Sequence, residues 1–237
     1  MDVEPAIAVR WSLSDAFKPG LRAVANHWKP FLLIQLAAVG CVIAYYNSQR
    51  FQLVADVLQD WKVSGGIPLA FLAGALAGGF LPEVARILTR TAEGRGWKRW
   101  QKVLWTALVF GLVGVFVDLF YKLQAMIFGN GIDPATLAYK TAFDMFCFAP
   151  LFCIPFEVVS LQWPQKGYRL DALARGMDWP TYRENVLPAL LPCWAFWIPV
   201  LVCVYTMPLN LQFVFAILAE AAWSIIVVFV AADVGDR

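Results

Sequence analysis

Six stretches of this chain are long and apolar enough to cross a lipid bilayer as helices, which excludes most of what 237 residues could otherwise fold into. They cover residues 30–46, 66–88, 103–121, 137–159, 186–206 and 211–232, the first on the short side and the last two parted only by Met207-Pro208-Leu209-Asn210. A hydrocarbon core of about 30 Å takes about 20 residues of helix, and lipid offers backbone amides no partner outside their own segment. The expected fold is all-α, a polytopic transmembrane bundle of about six spans, forming a single integral membrane domain over 1–237 whose residues 1–29 make an amphipathic or interfacial segment. Composition agrees: 60% of the residues are hydrophobic and 15% charged, against roughly 45–50% and about 25% in soluble domains.

The net charge of +2 provides no general basic field, so nucleic acid is not an expected partner, while the bilayer is. Five cysteines (Cys41, Cys147, Cys153, Cys193, Cys203) lie inside apolar runs without any C-x-x-C, which predicts small buried side chains and neither a disulfide framework nor zinc. The N-terminus carries Asp2, Glu4 and Asp15 and lacks the apolar core of a secretory signal, so it is expected to remain on the mature protein.

Lys and Arg outside the apolar cores divide unevenly between the two faces. Fifteen fall before the first span, between the second and third, between the fourth and fifth, and at the C-terminus; Arg50, Lys62, Lys122 and Lys140 fall opposite. Positive segments stay in the cytoplasm, so both termini are expected there, or in the matrix of a mitochondrion. Two connections also read as surface helices. Phe51, Val54, Leu58 and Trp61 recur at helical spacing among Gln52, Asp56, Gln59 and Asp60, and Leu170, Leu173, Ala174 and Met177 make a weaker series.

Ala70, Gly74 and Gly78 stand four apart and make a stripe against which another helix can close; Gly111 and Gly114 offer a similar face on the third span. Packing within one protomer is the first reading of these stripes, with a homo-oligomer as the alternative. Span four carries Pro150 and Pro155 and span five Pro188, Pro192 and Pro199, so these two helices are expected to face the bundle interior, where neighbours can satisfy the freed carbonyls.

An ionisable group at mid-bilayer costs about 2.5–3.5 kcal/mol on insertion, enough to demand a partner or water. Glu220 is the deepest acid, and Asp144 lies about two turns into span four. Either could be a structural hydrogen-bonding group or a member of a polar pathway. Glu83 with Arg86, and Asp118 with Lys122, have the spacing of local ion pairs near helix ends, and Glu157 lies close enough to an end to reach water. No H-E-x-x-H, P-loop or G-x-S-x-G motif occurs, and the lone histidine, His27, sits at a boundary beside Trp28 and Lys29. An enzyme, a catalytic residue, a cofactor and a metal site are therefore not expected.

Several blocks resemble the Mpv-seventeen family of small organellar membrane proteins, which includes the twenty-two-kilodalton peroxisomal membrane protein. LRAVANHWKP at 21–30 is similar to the family's first-helix opening, FGLVGVFVDLFYKL at 110–123 to its glycine-rich segment, and DMFCFAP at 144–150, with Pro150, to its Asp followed by Ala-Pro. Trp197, Pro199, Val204, Pro208 and Trp223 resemble its C-terminal signature. The resemblance covers roughly residues 20–32 and 80–230. It implies a channel or transporter for small metabolites, usually described with four spans. Departures fall at Cys203, Gln212 and Asp118, where the family has Asn, Arg and His, and about 35 extra residues supply an added span. A bacterial cytoplasmic membrane fits the acidic N-terminus, with a mitochondrial inner or peroxisomal membrane as the alternative.

These readings converge on a passive channel or carrier for small hydrophilic solutes, with Glu220, Asp144 and further Asp118 or Glu157 along its path. The alternative is a nonconducting scaffold in membrane homeostasis that associates through Gly74 and Gly78.

Overall fold

The computed structural model describes residues 13–88, 97–169, 171 and 178–235, all helix, turn or connection with no strand among them. The described residues begin in α1 (Leu13–Asn47), a single helix through Pro19 and Pro30, so from residue 13 the expected N-terminal segment is continuous with the first span. Ser48 ends it and caps the next helix, its hydroxyl accepting from the Phe51 amide at 3.4 Å. α2 (Gln49–Gly74) runs on through a π-helical turn, Ala75–Phe80, into α3 (Leu81–Leu88). α4 (Trp97–Phe128) is 32 residues long, about 48 Å at 1.5 Å per residue, so it outlasts the 19-residue core read from hydropathy and projects from the bilayer.

The return crossing is composite: α5 (Pro134–Phe143), a π-helical segment (Asp144–Cys153) and α6 (Ile154–Gln162). Asp133 caps it, its carboxylate accepting from the Thr136 amide at 3.0 Å with Pro134 at the first helical position. Then follow α7 (Trp179–Thr181), a π turn (Tyr182–Val186), α8 (Leu187–Tyr205) and α9 (Leu209–Gly235). Among the described residues, five helical stretches are long and apolar enough to span a membrane, Trp28–Asn47, Gln49–Leu88, Lys98–Phe128, Pro134–Gln162 and Trp179–Tyr205, and Leu209–Ile225 of α9 is a further apolar stretch.

The first of the expected surface helices is present, but its apolar residues divide. Val54 and Trp61 are exposed, whereas Leu58 packs on Ala55, Met207 and Leu211. Gly66 (φ 49°, ψ −137°) then bends the chain, so 49–65 and the crossing from 66 onward are one helix by hydrogen bonding and two by direction. The second expected surface helix, around 170–177, and the first twelve residues of the N-terminal segment lie outside the described residues.

α8 is the centre of the bundle, as its prolines predict. Cys193, Phe196, Val200, Leu201, Val204 and Tyr205 are buried in one cluster with Phe31 of α1, Phe120 and Tyr121 of α4, Met145 and Ala149 of the π segment and Ala216 of α9. Gln35 ties α1 to α8 by donating to the Ala195 carbonyl at 2.8 Å, an acceptor freed because Pro199 has no amide to fill it. The outside is inverted relative to a soluble protein, with Leu33, Leu36, Ile43, Leu53, Leu72 and Leu151 pointing outward.

The small-residue stripe packs within the chain. A β-carbon at Gly114 would lie 2.5 Å from the Ala70 carbonyl oxygen, Gly74 meets Gly114 and the Phe110 carbonyl, Gly78 meets the Phe110 ring, and Gly111 meets the Phe71 ring. α2 and α4 thus touch backbone to backbone, and α4 covers the face that an oligomeric scaffold would have used.

Candidate functional site

A cavity of about 1520 Å³ occupies the bundle, with walls drawn from α1, α2, α3, α4, the Asp144–Cys153 segment, α6, α8 and α9. One end is bordered by exposed Lys98, Gln101, Lys102 and Tyr168; the other stops among buried Tyr121, Asp144 and Leu201. The cavity is therefore open at the charged end of the bundle and blind at the opposite end.

Four of the acids singled out from the sequence line it, Glu83 at the open end and Asp144, Glu157 and Glu220 among the helices of the interior. For Asp144 and Glu157 this is not what an ordinary helix would do. Thirteen residues at about 100° each would put them some 220° apart, on nearly opposite faces. The π segment between them solves the geometry, because its i→i+5 turns each take up about one extra residue and so rotate Glu157 back toward the face of Asp144. Pro150 and Pro155 sit in or just after this segment, where their missing amides weaken the i→i−4 ladder.

Surroundings differ among the three interior carboxyls. Asp144 is buried and accepts a hydrogen bond from the Tyr205 hydroxyl at 2.5 Å. Half-buried Glu157 takes the Cys153 thiol, one turn back, at 3.4 Å. Glu220 faces the region of Glu157 from α9 and meets no cation or hydrogen-bond donor among the described residues. Beside them stands an aromatic wall: Trp197 and Trp223 both border the cavity, and Phe196 lies behind them with ring centroids 5.2 and 4.8 Å away. One turn beyond Glu220, Ser224 donates to the Ala77 carbonyl at 2.8 Å, satisfying an acceptor within the first π turn.

At the open end Glu83 is held by two arginines. Its expected partner, Arg86, is at 3.5 Å, while Arg99, sixteen residues away on α4, makes the closer contact at 2.6 Å. This pair joins α3 to α4 across the undescribed connection. Asp118 is off the path. It does not border the cavity but holds Lys122 and Lys62, each at 2.9 Å. The i,i+4 pair with Lys122 follows the sequence expectation; the bond to Lys62 does not, because hydropathy leaves that lysine in a connection between spans. Lys62 is only 4% exposed, and its ammonium also stands 4.9 Å from the centre of the Phe213 ring.

Beyond the blind end, Gln124 and Tyr205 escaped sequence reading and Lys140 was read only as a charge on the outer face, as was Lys62 beside Asp118. Lys140 is 1% exposed, with its ammonium 5.6 Å from the centre of the Tyr205 ring. Gln124, also fully buried, donates weakly to the Lys140 carbonyl at 3.4 Å. Tyr205 carries no polar label in a hydropathy window, and its contact with Asp144 spans 61 residues, so no local signal marks it. Among the family-like positions, Pro150 lies in the π segment, Pro199 in α8 and Pro208 in the turn to α9.

All five cysteines are free. Cys193 is buried and the others half-buried, with Cys153 and Cys193 facing the cavity. Among the described residues no group of three His, Cys, Asp or Glu side chains is placed to hold a metal ion. Comparison with known protein families, with curated proteins and with solved structures finds no match.

Proposed function

We propose that this membrane protein is a passive channel or carrier that moves small hydrophilic solutes through the central cavity, and that it is not an enzyme. The observation that carries the reading is the cavity itself: about 1520 Å³, open at one charged end and reaching three carboxyl-bearing side chains in the bundle interior. A packed scaffold has no use for such a volume, since each unfilled space forfeits dispersion contacts and lowers stability. Carboxyls placed where lipid would penalise them fit a wetted path with a preference for cations. The resemblance to the Mpv-seventeen blocks points the same way, and Trp197 and Trp223 from its signature border the cavity. The uneven distribution of Lys and Arg would set the open end toward the cytoplasm or matrix.

Release of graded sugars and ions from sealed liposomes tests this, with Glu220→Gln beside the wild type. Size-limited release whose ion preference changes in Glu220→Gln supports a path past that carboxyl. Retention of every solute by folded, inserted protein rejects transport and leaves the nonconducting reading.

A further inference from the structure

Behind Tyr121 and Asp144, which line the blind end of the cavity, stands one side chain with unusual partners. Tyr205 ends α8; its hydroxyl donates to Asp144, the ring face carries the Lys140 ammonium, and its edge meets Tyr121 with centroids 5.4 Å apart. Lys140 and Asp144 are four residues apart on one α-helical turn, the Asp144 amide bonding back to the Lys140 carbonyl. That is the spacing at which a lysine and an aspartate pair directly. They do not pair here: Asp144 accepts from the Tyr205 hydroxyl, and the Lys140 ammonium stands 5.6 Å from the centre of the same ring. Lys140 has no carboxylate partner among the described residues, although a buried ammonium without one is costly.

We propose that Tyr205 is the outer gate of the transport path, and that the Lys140–Asp144 pair is the contact that replaces it when the gate opens. This rests on the transport reading of the cavity. With Tyr205 in place, the aspartate is satisfied by a hydroxyl and the ammonium by a ring face. When the end of α8 withdraws, the two charges close on each other, so neither is stranded by the loss of the tyrosine. Opening therefore exchanges one satisfied arrangement for another, which is what a two-state element requires. The π segment beginning at Asp144 and the turn at Thr206–Pro208 lie on either side of the contact, so the backbone has irregular geometry where the movement needs it. The protein is then a carrier exposed to one face at a time, seen with its outer gate closed.

Cys153 borders the cavity and reports access. In protein whose other four cysteines are replaced by alanine, a membrane-impermeant methanethiosulfonate is added from each face in turn, with Asn130→Cys, on the exposed turn beyond α4, marking the outer face. Cys153 is expected to react from the Glu83 face and at least about tenfold more slowly from the Asn130 face. Tyr205→Phe keeps the ring and removes the bond to Asp144, so outer labelling should rise about tenfold, the scale of one hydrogen bond to a charged group. Lys140→Met withdraws the replacement partner, so solute flux should fall several-fold while outer labelling stays low. Equal labelling from both faces in the wild type, no labelling from either, or outer labelling unmoved by Tyr205→Phe would overturn the gate. If labelling is one-sided and yields to Tyr205→Phe while no solute crosses, the gate stands and the transport reading fails.

Discussion

Lys62 shows how a single residue can read one way in the sequence and another in the bundle. A hydropathy window sees a cation beyond the apolar core, whereas the fold buries it against Asp118 and the Phe213 ring. Removing one partner of a buried pair is worse than removing both, because the remaining charge loses its compensation, and without Lys62 the buried Asp118 keeps only the half-exposed Lys122. Lys62→Met should therefore destabilise by about 3 kcal/mol, and Lys62→Met with Asp118→Leu should recover most of that loss, both measured by denaturation in a fixed detergent. A double variant no more stable than the single would show that the pair is not the unit. Asp133 offers a pH test of the same kind. The Thr136 hydroxyl and amide hold its carboxyl below the ordinary value of 3.8. The folded state thus favours the ionised form, so this cap contributes fully above the ordinary value and is lost as pH falls through the lower, folded one. Asp133→Ala should flatten that acid-side decline in melting temperature.

At the level of helices, the apolar crossings were legible because 20 apolar residues in a row have few alternatives, and the long stretch Gln49–Leu88 bends at Gly66, where hydropathy places the start of span two. The bend itself was not read there, although Ser64-Gly65-Gly66 ahead of Pro68 is the kind of sequence that breaks a helix. A β-carbon at Gly66 would meet no atom within 4 Å, so any cost of Gly66→Ala is backbone strain alone, about 1–3 kcal/mol. Gly40, equally open but in ordinary helical geometry, is the control, and Gly40→Ala should stabilise by about 0.4–1 kcal/mol. If both substitutions shift the melting temperature alike, the bend is not imposed by Gly66. Close approach is a different constraint: Gly114→Leu forces α4 from the Ala70 carbonyl and should prevent recovery of folded protein. The π segments were the hardest feature to foresee. Asp144 and Glu157 look like opposite faces under α-helical periodicity, and only the prolines between them hint that the ladder changes. Tyr205 and Arg99 belong to the same class of omission, because their partners lie 61 and 16 residues away.

For the molecule as a whole, chain composition decided the solvent and left the interior open. Apolar residues cover the outside, the densest packing lies along α8, and a large cavity remains among helices that each contribute only part of its wall. No covalent cross-link supports the arrangement, as all five cysteines are free. Reductant should accordingly leave the melting temperature unchanged, and a drop on adding it would reveal a bridge that forms in the membrane.

The one-ended cavity also bears on electrostatics across the bilayer. Water filling it from the Glu83 end would carry the potential of that compartment deep into the protein. A transmembrane voltage would then fall mostly over the layer formed by Tyr205, Tyr121, Lys140 and Gln124, and the field would be concentrated there. Moving one charge through the full potential changes its energy by about 2.3 kcal/mol per 100 mV. In such a focused field, a displacement of Lys140 or Asp144 would move more charge across the potential than the same displacement elsewhere in the bundle, which would make this end of the cavity the voltage-sensitive part of the protein.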